Sequence, residues 1–175
     1  PYLSKHFFLA RTGFYFIAWI LISRVLYYHS VRYSSFKSLE TLRKWSGVGT
    51  VVFALTISFA AFDWLMTLDP HWYSTMFGVY IFSASFLVSV AFITIILIYL
   101  RNSGVLYNEI NIEHYHDLGR IMFGFTVFWA YIAGFQYYLI WYGNLPEEIE
   151  WYLARSHGTW INLSLLLVFG HFVIP

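Results

Sequence analysis

The chain has 175 residues, of which 59% are hydrophobic and 11% are charged, and its mean hydropathy is +0.61. Soluble domains carry about 25% charged residues, so this composition excludes an ordinary soluble domain and indicates a membrane protein. A formal net charge of +1 and the absence of Cys argue against a nucleic-acid partner and leave no thiolate ligand for an iron–sulfur cluster in this chain.

Five apolar runs are long enough to cross a hydrocarbon core of about 30 Å, which takes about 20 helical residues. They predict helices near residues 8–29, 47–68, 74–100, 118–142 and 158–175. None of the runs shows the alternation of a strand, so the predicted fold is an all-α, polytopic transmembrane helix bundle that forms a single domain over residues 1–175. Because the sequence opens on Pro1 rather than Met, we expect it to be a fragment of a longer polypeptide.

Two Pro residues mark predicted helix starts. Asp69 before Pro70 has the pattern of an N-cap followed by Pro at the first helical position, which predicts that one helix ends near Leu68 and the next starts at once. The sequence Leu-Pro-Glu-Glu at 145–148 predicts a short surface helix with acidic residues in its first turn.

Basic residues predict the orientation in the membrane. The loop from Ser30 to Ser46 is basic, whereas the opposite side sets Lys5, Arg11 and Arg155 against several acidic residues. The positive-inside rule then places the loops after the first and third helices in the cytoplasm. It places the turn at residues 69–71 on the outer side.

Asp63 interrupts an apolar run from Val48 to Met66. A charged side chain at mid-bilayer costs at least about 2.5 kcal/mol, so the first interpretation is a functional group with a partner or a water-filled cavity nearby. The alternative is an interfacial Asp whose carboxylate reaches headgroup water. Gly49, Thr56 and Asp63 recur every seven residues, which predicts that Asp63 lies on a helix-packing seam.

Asp63 is also the centre of a predicted proton path. A carboxyl in a low-dielectric seam has its charged form disfavoured, so we expect Asp63 to bind and release protons. The path would continue outward to Asp69 and His71 and would have its inner mouth before the fourth helix. That mouth consists of Glu113, His114, His116 and Asp117.

The same inner segment has two other interpretations. It is compatible with a solvated cap in which Asp117 is the N-cap of the fourth helix, or with a metal site formed by residues three apart. A di-iron site would need a second Glu-x-x-His motif, which the sequence lacks. We therefore predict no metal site and no catalytic residue.

The fifth predicted helix carries His157, Ser164 and His171 on one stripe. These residues are candidates for extending the proton path. Simple helix–helix hydrogen bonds and haem ligation are the alternatives. Haem ligation would need a second His-bearing helix, and the second, third and fourth predicted helices have no interior His.

A further set of residues has the chemistry to contact a quinone ring or an anionic lipid. The alternative for its tyrosines is membership of the interfacial aromatic belt. The set is Tyr131, Gln136, Tyr137, Tyr138 and Arg155.

Three strings carry a family resemblance, which runs from about Ala54 to Pro175. They are FDWLMTLDPHWYSTMFGVY, HDLGRIMFGFTVFWAYIAGFQYYLIWYGNLPEE and SHGTWINLSLLLVFGHFVIP. The sequence resembles the second of the NrfD-like membrane subunits of alternative complex III, the bacterial quinol:cytochrome c or cupredoxin oxidoreductase. The resemblance implies a protein of about ten transmembrane helices in the bacterial inner (cytoplasmic) membrane, without a redox centre of its own.

The resemblance also implies partners and a role. The partners would be a sister NrfD-like quinol-binding subunit, a subunit with iron–sulfur clusters and subunits with haem c, while quinol is the substrate of the complex. The role would be a proton-conducting path and scaffold next to the quinol site. Two other functions remain open: a secondary transporter, which predicts substrate flux without partners, and a haem b membrane anchor, which predicts a Soret band on the isolated chain.

Overall fold

The computed structural model describes residue 2, residues 4–31 and residues 36–174, with side chains described except at 36–38. Regular structure in these ranges is helical throughout, which confirms the all-α prediction. A 3-10 turn, Met66–Leu68, follows α2, and a π-helical turn, Phe169–Val173, follows α6. The six α-helices are α1 (Lys5–Val31), α2 (Phe36–Trp64), α3 (Phe77–Asn102), α4 (Ile112–Gly143), α5 (Pro146–Ser156) and α6 (Trp160–Val168).

Four helical segments of the described chain are long and apolar enough to span a membrane. They are Lys5–Val31, Leu39–Leu68, Phe77–Asn102 and Ile112–Gly143, with mean hydropathies between 1.4 and 2.6. The fifth predicted span corresponds to a shorter apolar helix, Trp160–Val173. The chain is therefore a multi-pass membrane protein with four spans and one shorter apolar helix in the described part.

The prediction that a helix starts directly at Pro70 is wrong. Asp69 has an extended conformation with φ −120° and ψ 91°, and α3 begins only at Phe77, after Met76 as N-cap. In between, the indole of Trp72 is buried against the rings of Phe77 and Trp151, at centroid distances of 5.6 and 4.6 Å. Packing of this large side chain thus outweighs the local capping pattern.

The fourth helix starts six residues before its predicted start at 118, so Asp117 is not its N-cap. The N-cap is Asn111, whose side-chain oxygen accepts a hydrogen bond from the backbone N–H of His114 at 3.2 Å. His114 Nδ1 in turn accepts from the Asn111 backbone N–H at 3.2 Å. This reciprocal capping satisfies two backbone donors of the first turn.

The predicted short helix after Leu145 is confirmed as α5, with Pro146 in its first turn.

The chain divides into two compact units, one up to Asp69 and one from Pro70 onward. In the first unit, α1 packs against α2 along the predicted seam. A Cβ added at Gly49 would lie 3.1 Å from Ile22 Cγ2, so glycine permits the close approach of the two helices there. Further along the seam, the Trp19 indole donates to Thr56 Oγ1 at 2.9 Å.

In the second unit, α3 and α4 form the main helix pair. Phe86 and Phe125 pack with ring centroids 4.2 Å apart. Ser83 is fully buried, and its hydroxyl donates to the Tyr80 carbonyl at 2.8 Å. Helices α5 and α6 and the π-helical turn complete this unit. Together with α3, α4 and the segment before α3, they surround a cavity.

Candidate functional site

A buried ion pair holds α1 and α2 of the first unit together. Arg11 Nε donates to Asp63 Oδ2 at 2.8 Å and Arg11 Nη2 donates to Asp63 Oδ1 at 2.9 Å, a bidentate arrangement. The Tyr15 hydroxyl donates to Oδ2 at 2.8 Å. The carboxylate of Asp63 therefore accepts three hydrogen bonds, two of them from a cation.

The helical spacing of α1 positions both donors. Arg11 and Tyr15 are four residues apart, which places them on the same face of the helix. Two rings enclose the guanidinium, with Tyr2 at 3.8 Å and Phe7 at 4.4 Å from its carbon to the ring centroids. Arg11 Nη1 donates to the Tyr2 carbonyl at 2.8 Å.

The partner expected for Asp63 is therefore Arg11, whose charge entered the sequence-based predictions only as a contribution to orientation. The side chain of Asp63 is 0% exposed and that of Arg11 is 13% exposed. The carboxylate is thus enclosed by hydrogen-bond donors. The interfacial alternative required a carboxylate that faces headgroup water, which is not the arrangement in the structure. A basic residue inside a predicted span is itself a signal for an acidic partner. That signal was available in the sequence.

The two outer residues of the predicted proton path lie in the segment between α2 and α3. Asp69 is half-buried and His71 is exposed. They fall on either side of the boundary between the two units. A path from Asp63 through these residues stays a prediction.

The exposed position of His71 offers a test of orientation. In the variant His71→Cys of this Cys-free chain, we expect labelling by a membrane-impermeant maleimide from the outer side of intact cells. Position 71 lies in the loop that the Lys and Arg distribution places outside. Labelling of this variant only in inside-out vesicles would contradict the predicted orientation.

The predicted inner mouth lies in the first turns of α4. Glu113, His114, His116 and Asp117 are all exposed. Asp117 lies 3.5 Å from Arg120 Nη1, in a surface pair three residues apart. Among the described residues, no group of three His, Cys, Asp or Glu side chains converges on a possible metal position. The structure therefore gives this segment a capping role and a solvated face.

The predicted stripe of His157, Ser164 and His171 does not lie on one helix, so that part of the prediction is wrong. His157 follows α5 as its C-cap, and Gly158 with φ +62° separates it from α6. The Ser164 hydroxyl on α6 donates to the Arg155 carbonyl at 3.2 Å. The glycine with positive φ ends the helical continuity that a common stripe requires.

His171 lies in the π-helical turn and packs on the fourth helix. Its ring centroid is 4.4 Å from that of Trp129, in an edge-to-face arrangement. Its Nε2 atom is buried and has no hydrogen-bond partner among the described residues. π-Helical turns occur frequently at functional sites. His171 is therefore an unsatisfied polar group in contact with Trp129, which lines the cavity of the second unit.

That cavity has a volume of about 750 Å³ and lies between α3, α4, α5, α6, the π-helical turn and the segment before α3. Most of its lining side chains are aromatic or aliphatic, and Arg155 is the one charged residue among them. The lining residues include Trp72, Phe77, Tyr80, Trp129, Tyr131, Gly134, Gln136, Tyr137, Trp151, Tyr152, Arg155, Ser164, Leu167 and Phe172. This size and polarity are typical of sites for small apolar ligands with a polar head.

Stacked rings form one wall of the cavity. Trp72 and Trp151 are nearly parallel, with centroids 4.6 Å apart and planes 17° apart. Trp151 contacts Tyr152 edge-to-face at 4.8 Å, and Tyr152 contacts Tyr137 at 5.2 Å. Aromatic contacts of this kind are worth about 0.5–1.5 kcal/mol beyond the area that they bury. The wall is therefore stabilised by its own packing.

Polar groups are few and held in place. The Arg155 guanidinium lies over the Trp151 ring at 3.6 Å, and its Nη1 donates to the Trp151 carbonyl at 2.8 Å. Burial raises the pKa of the Tyr152 phenol well above its ordinary value, so this hydroxyl stays protonated and able to donate. The indole of Trp72 is 4% exposed. Its Nε1 has no hydrogen-bond partner in the described structure.

The cavity brings together four of the five predicted ligand-contact residues. Tyr131, Gln136, Tyr137 and Arg155 line it, whereas Tyr138 is not among its lining residues. Sequence reasoning did not assign Trp72, Trp151 or Tyr152 to this site. Trp72 and Trp151 are 79 positions apart in the sequence, so no local pattern pairs them.

Comparison of the sequence with protein-family models and with curated proteins finds no match in either set.

Proposed function

We propose that this chain is an integral membrane subunit of a quinol:electron-acceptor oxidoreductase of the alternative complex III type, and that its aromatic cavity binds a quinone or quinol ring. The observation that carries the proposal is the convergence of Tyr131, Gln136, Tyr137 and Arg155 on one cavity of about 750 Å³. The subunit would carry no redox centre of its own. Iron–sulfur clusters and haem c would belong to partner subunits.

The chemistry of the cavity suits a quinone. A quinone has a flat ring that can stack on aromatic side chains, two oxygens that accept hydrogen bonds and an apolar tail. Tyr152 and the edge of Trp151 supply aromatic contacts, and Gln136 supplies an amide donor. Apolar lining residues such as Leu167 and Phe172 suit the tail.

An anionic phospholipid is the rival occupant. Its phosphate would pair with Arg155, whose guanidinium is suited to bidentate binding of an anion. Arg155 is held by the ring and the carbonyl of Trp151. Because the remaining lining is mainly aromatic and aliphatic, the cavity favours an uncharged head over a phosphate.

Proton conduction is the second part of the proposal. The chain would carry protons near the quinol site, with Asp63 as the buried carboxylate of the path. In favour of a role for this residue is its burial together with Arg11 and Tyr15, since such clusters in membrane spans mark functional positions. Proton exchange there would require the ion pair to open.

A direct test is binding of a decyl-substituted benzoquinone to the intact protein in detergent. Three tryptophans line the cavity: Trp72, Trp129 and Trp151. Quinones quench indole fluorescence at short range, so we expect saturable quenching. Phosphatidylglycerol in tenfold excess should leave the quenching unchanged. Displacement by this lipid would identify the cavity as a lipid site, and absence of saturable quenching would overturn the proposal.

Affinity purification from native membranes tests the assignment to a complex. We expect multihaem and iron–sulfur subunits to copurify in stoichiometric amounts. Substrate flux in vesicles that contain the purified chain alone would instead favour a transporter. A Soret band on the isolated chain would favour a haem anchor.

A further inference from the structure

We propose that the phenol hydroxyl of Tyr152 holds a ring oxygen of the ligand in the aromatic cavity. This inference deepens the proposed function and rests on it. It places the polar head of the ligand where lining residues of α3, α4 and α5 surround this hydroxyl.

The first step is the position of the Tyr152 ring. The residue lines the cavity and is half-buried. Its ring contacts Trp151 edge-to-face, with centroids 4.8 Å apart, and Tyr137 edge-to-face at 5.2 Å. Contacts with two neighbouring rings restrict rotation of the phenol, so little conformational entropy is lost when its hydroxyl binds a ligand.

The second step is the surroundings of the hydroxyl. It interacts electrostatically with the phenols of Tyr80 on α3 and Tyr137 on α4 and with the guanidinium of Arg155 on α5. All three of these residues line the cavity. Because the polar groups around the Tyr152 hydroxyl belong to lining residues of three helices, we place this hydroxyl at the cavity wall.

The third step is that a ligand can reach the hydroxyl. Within the described part of the chain, the Tyr152 hydroxyl makes no hydrogen bond. It is also not one of the atoms that are buried without a partner, in contrast to Trp72 Nε1 and His171 Nε2. The hydroxyl therefore keeps accessible surface, and a polar group inside the cavity can complete its hydrogen bonding.

The chemistry of a phenol selects the ligand atom. Burial raises the pKa of the Tyr152 phenol, so the hydroxyl stays protonated and donates. A phenol also accepts, so it can bind the carbonyl oxygen of a quinone and the hydroxyl of a quinol alike. The Arg155 guanidinium only donates and is held by the ring and the carbonyl of Trp151. The ring oxygen is therefore assigned to Tyr152, and a lipid phosphate is an outcome that the test distinguishes.

The test compares two ligands on two proteins by calorimetry in detergent. The ligands are a decyl-substituted benzoquinone and decylbenzene, which keeps a six-membered ring and the tail but has no ring oxygens. The variant Tyr152→Phe keeps the ring and its aromatic contacts and removes the hydroxyl. We expect the affinity for the quinone to fall by about five- to tenfold, as for a typical hydrogen bond, and the affinity for decylbenzene to change by less than about twofold.

Tyr138→Phe is the matched control because it makes the same substitution at a tyrosine that is 53% exposed and does not line the cavity. It should leave both affinities unchanged. An equal loss for both ligands in Tyr152→Phe would mean that Tyr152 acts by packing, and an unchanged affinity for the quinone would also overturn the inference. In both cases the proposed function stands as long as wild-type protein binds the quinone. If wild-type protein binds phosphatidylglycerol but not the quinone, the proposed function and this inference both fail.

An infrared measurement on the wild-type protein covers the case in which Tyr152→Phe does not fold. Hydrogen bonding lowers the carbonyl stretching frequency of a quinone. We expect the bound quinone to show a carbonyl band below that of the same quinone in detergent alone, and this band to return toward the free position in Tyr152→Phe. A single band at the free position in wild-type protein would exclude any hydrogen bond to the ring oxygens and overturn the inference.

Discussion

Replacement of Asp63 by Asn is expected to destabilise the protein by about 3 kcal/mol, because it leaves the Arg11 guanidinium partly buried without a counter-charge. The Asp63 side chain is fully buried and accepts from Arg11 at 2.8 and 2.9 Å. Thermal unfolding of the purified variant in detergent, followed by circular dichroism, measures the effect. An unchanged melting temperature would contradict the structural importance of the ion pair.

The matched control removes both charges. In the double variant Arg11→Leu with Asp63→Leu, neither residue leaves an unpaired charge behind, and replacement of a buried ion pair by apolar residues is often neutral. We expect this protein to be more stable than Asp63→Asn. If the double variant is the less stable one, the loss in Asp63→Asn is not caused by the orphaned charge.

Asp63→Asn, compared with a change at Tyr15, also separates a structural role of Asp63 from proton conduction. A conducting Asp63 predicts that Asp63→Asn, once assembled, slows proton movement coupled to quinol turnover. A conservative change at Tyr15, Tyr15→Phe, removes one hydrogen bond to the carboxylate but keeps the ion pair, so it should leave the stability within about 1.5 kcal/mol of wild type. Unchanged proton movement in an assembled Asp63→Asn complex would leave Asp63 with a structural role only.

Filling the cavity is the second change with a large expected effect. Gly134 lines the cavity on α4, and a Cβ added there would meet no heavy atom within 4 Å. In Gly134→Leu the new side chain has room to occupy the cavity. We expect the affinity for the decyl-substituted benzoquinone to fall at least about tenfold, which corresponds to about 1.4 kcal/mol. Calorimetry on the purified variant measures this change.

Gly124→Leu is the control for this experiment. Gly124 lies on the same helix, has equally open space at its Cβ position and is not among the lining residues. Both substitutions replace a helical glycine with a better helix former, which should not lower the stability of α4. Equal affinities in the two variants would show that the quinone does not occupy this cavity.

Local patterns in the sequence determined most of the secondary structure. Long apolar runs predicted α1 to α4 because a backbone in lipid must satisfy its own hydrogen bonds. The spacing of Gly49, Thr56 and Asp63 predicted the buried face of α2, since a seven-residue repeat stays on one side of a helix. Thr56 and Asp63 are both buried in the structure.

Capping was less well predicted, although its signal is also local. Asn111 lies three residues before His114, and both take part in reciprocal hydrogen bonds at the start of α4. The cluster of ionisable residues that follows drew the prediction toward Asp117. Exposed ionisable side chains carry little information about where a helix begins, because water satisfies them in many conformations.

Only the tertiary structure decided the two sites. The ion pair joins Arg11 and Asp63 across 52 positions, and the aromatic wall joins Trp72 and Trp151 across 79. Periodicity identifies the face of a helix on which a residue lies. It does not identify which other helix covers this face, or the register in which the two helices pack. Those depend on how side chains from distant segments fill space together. The packing of Trp72 also ended the helical pattern at Pro70, because burial of a large ring stabilises more than a favourable cap.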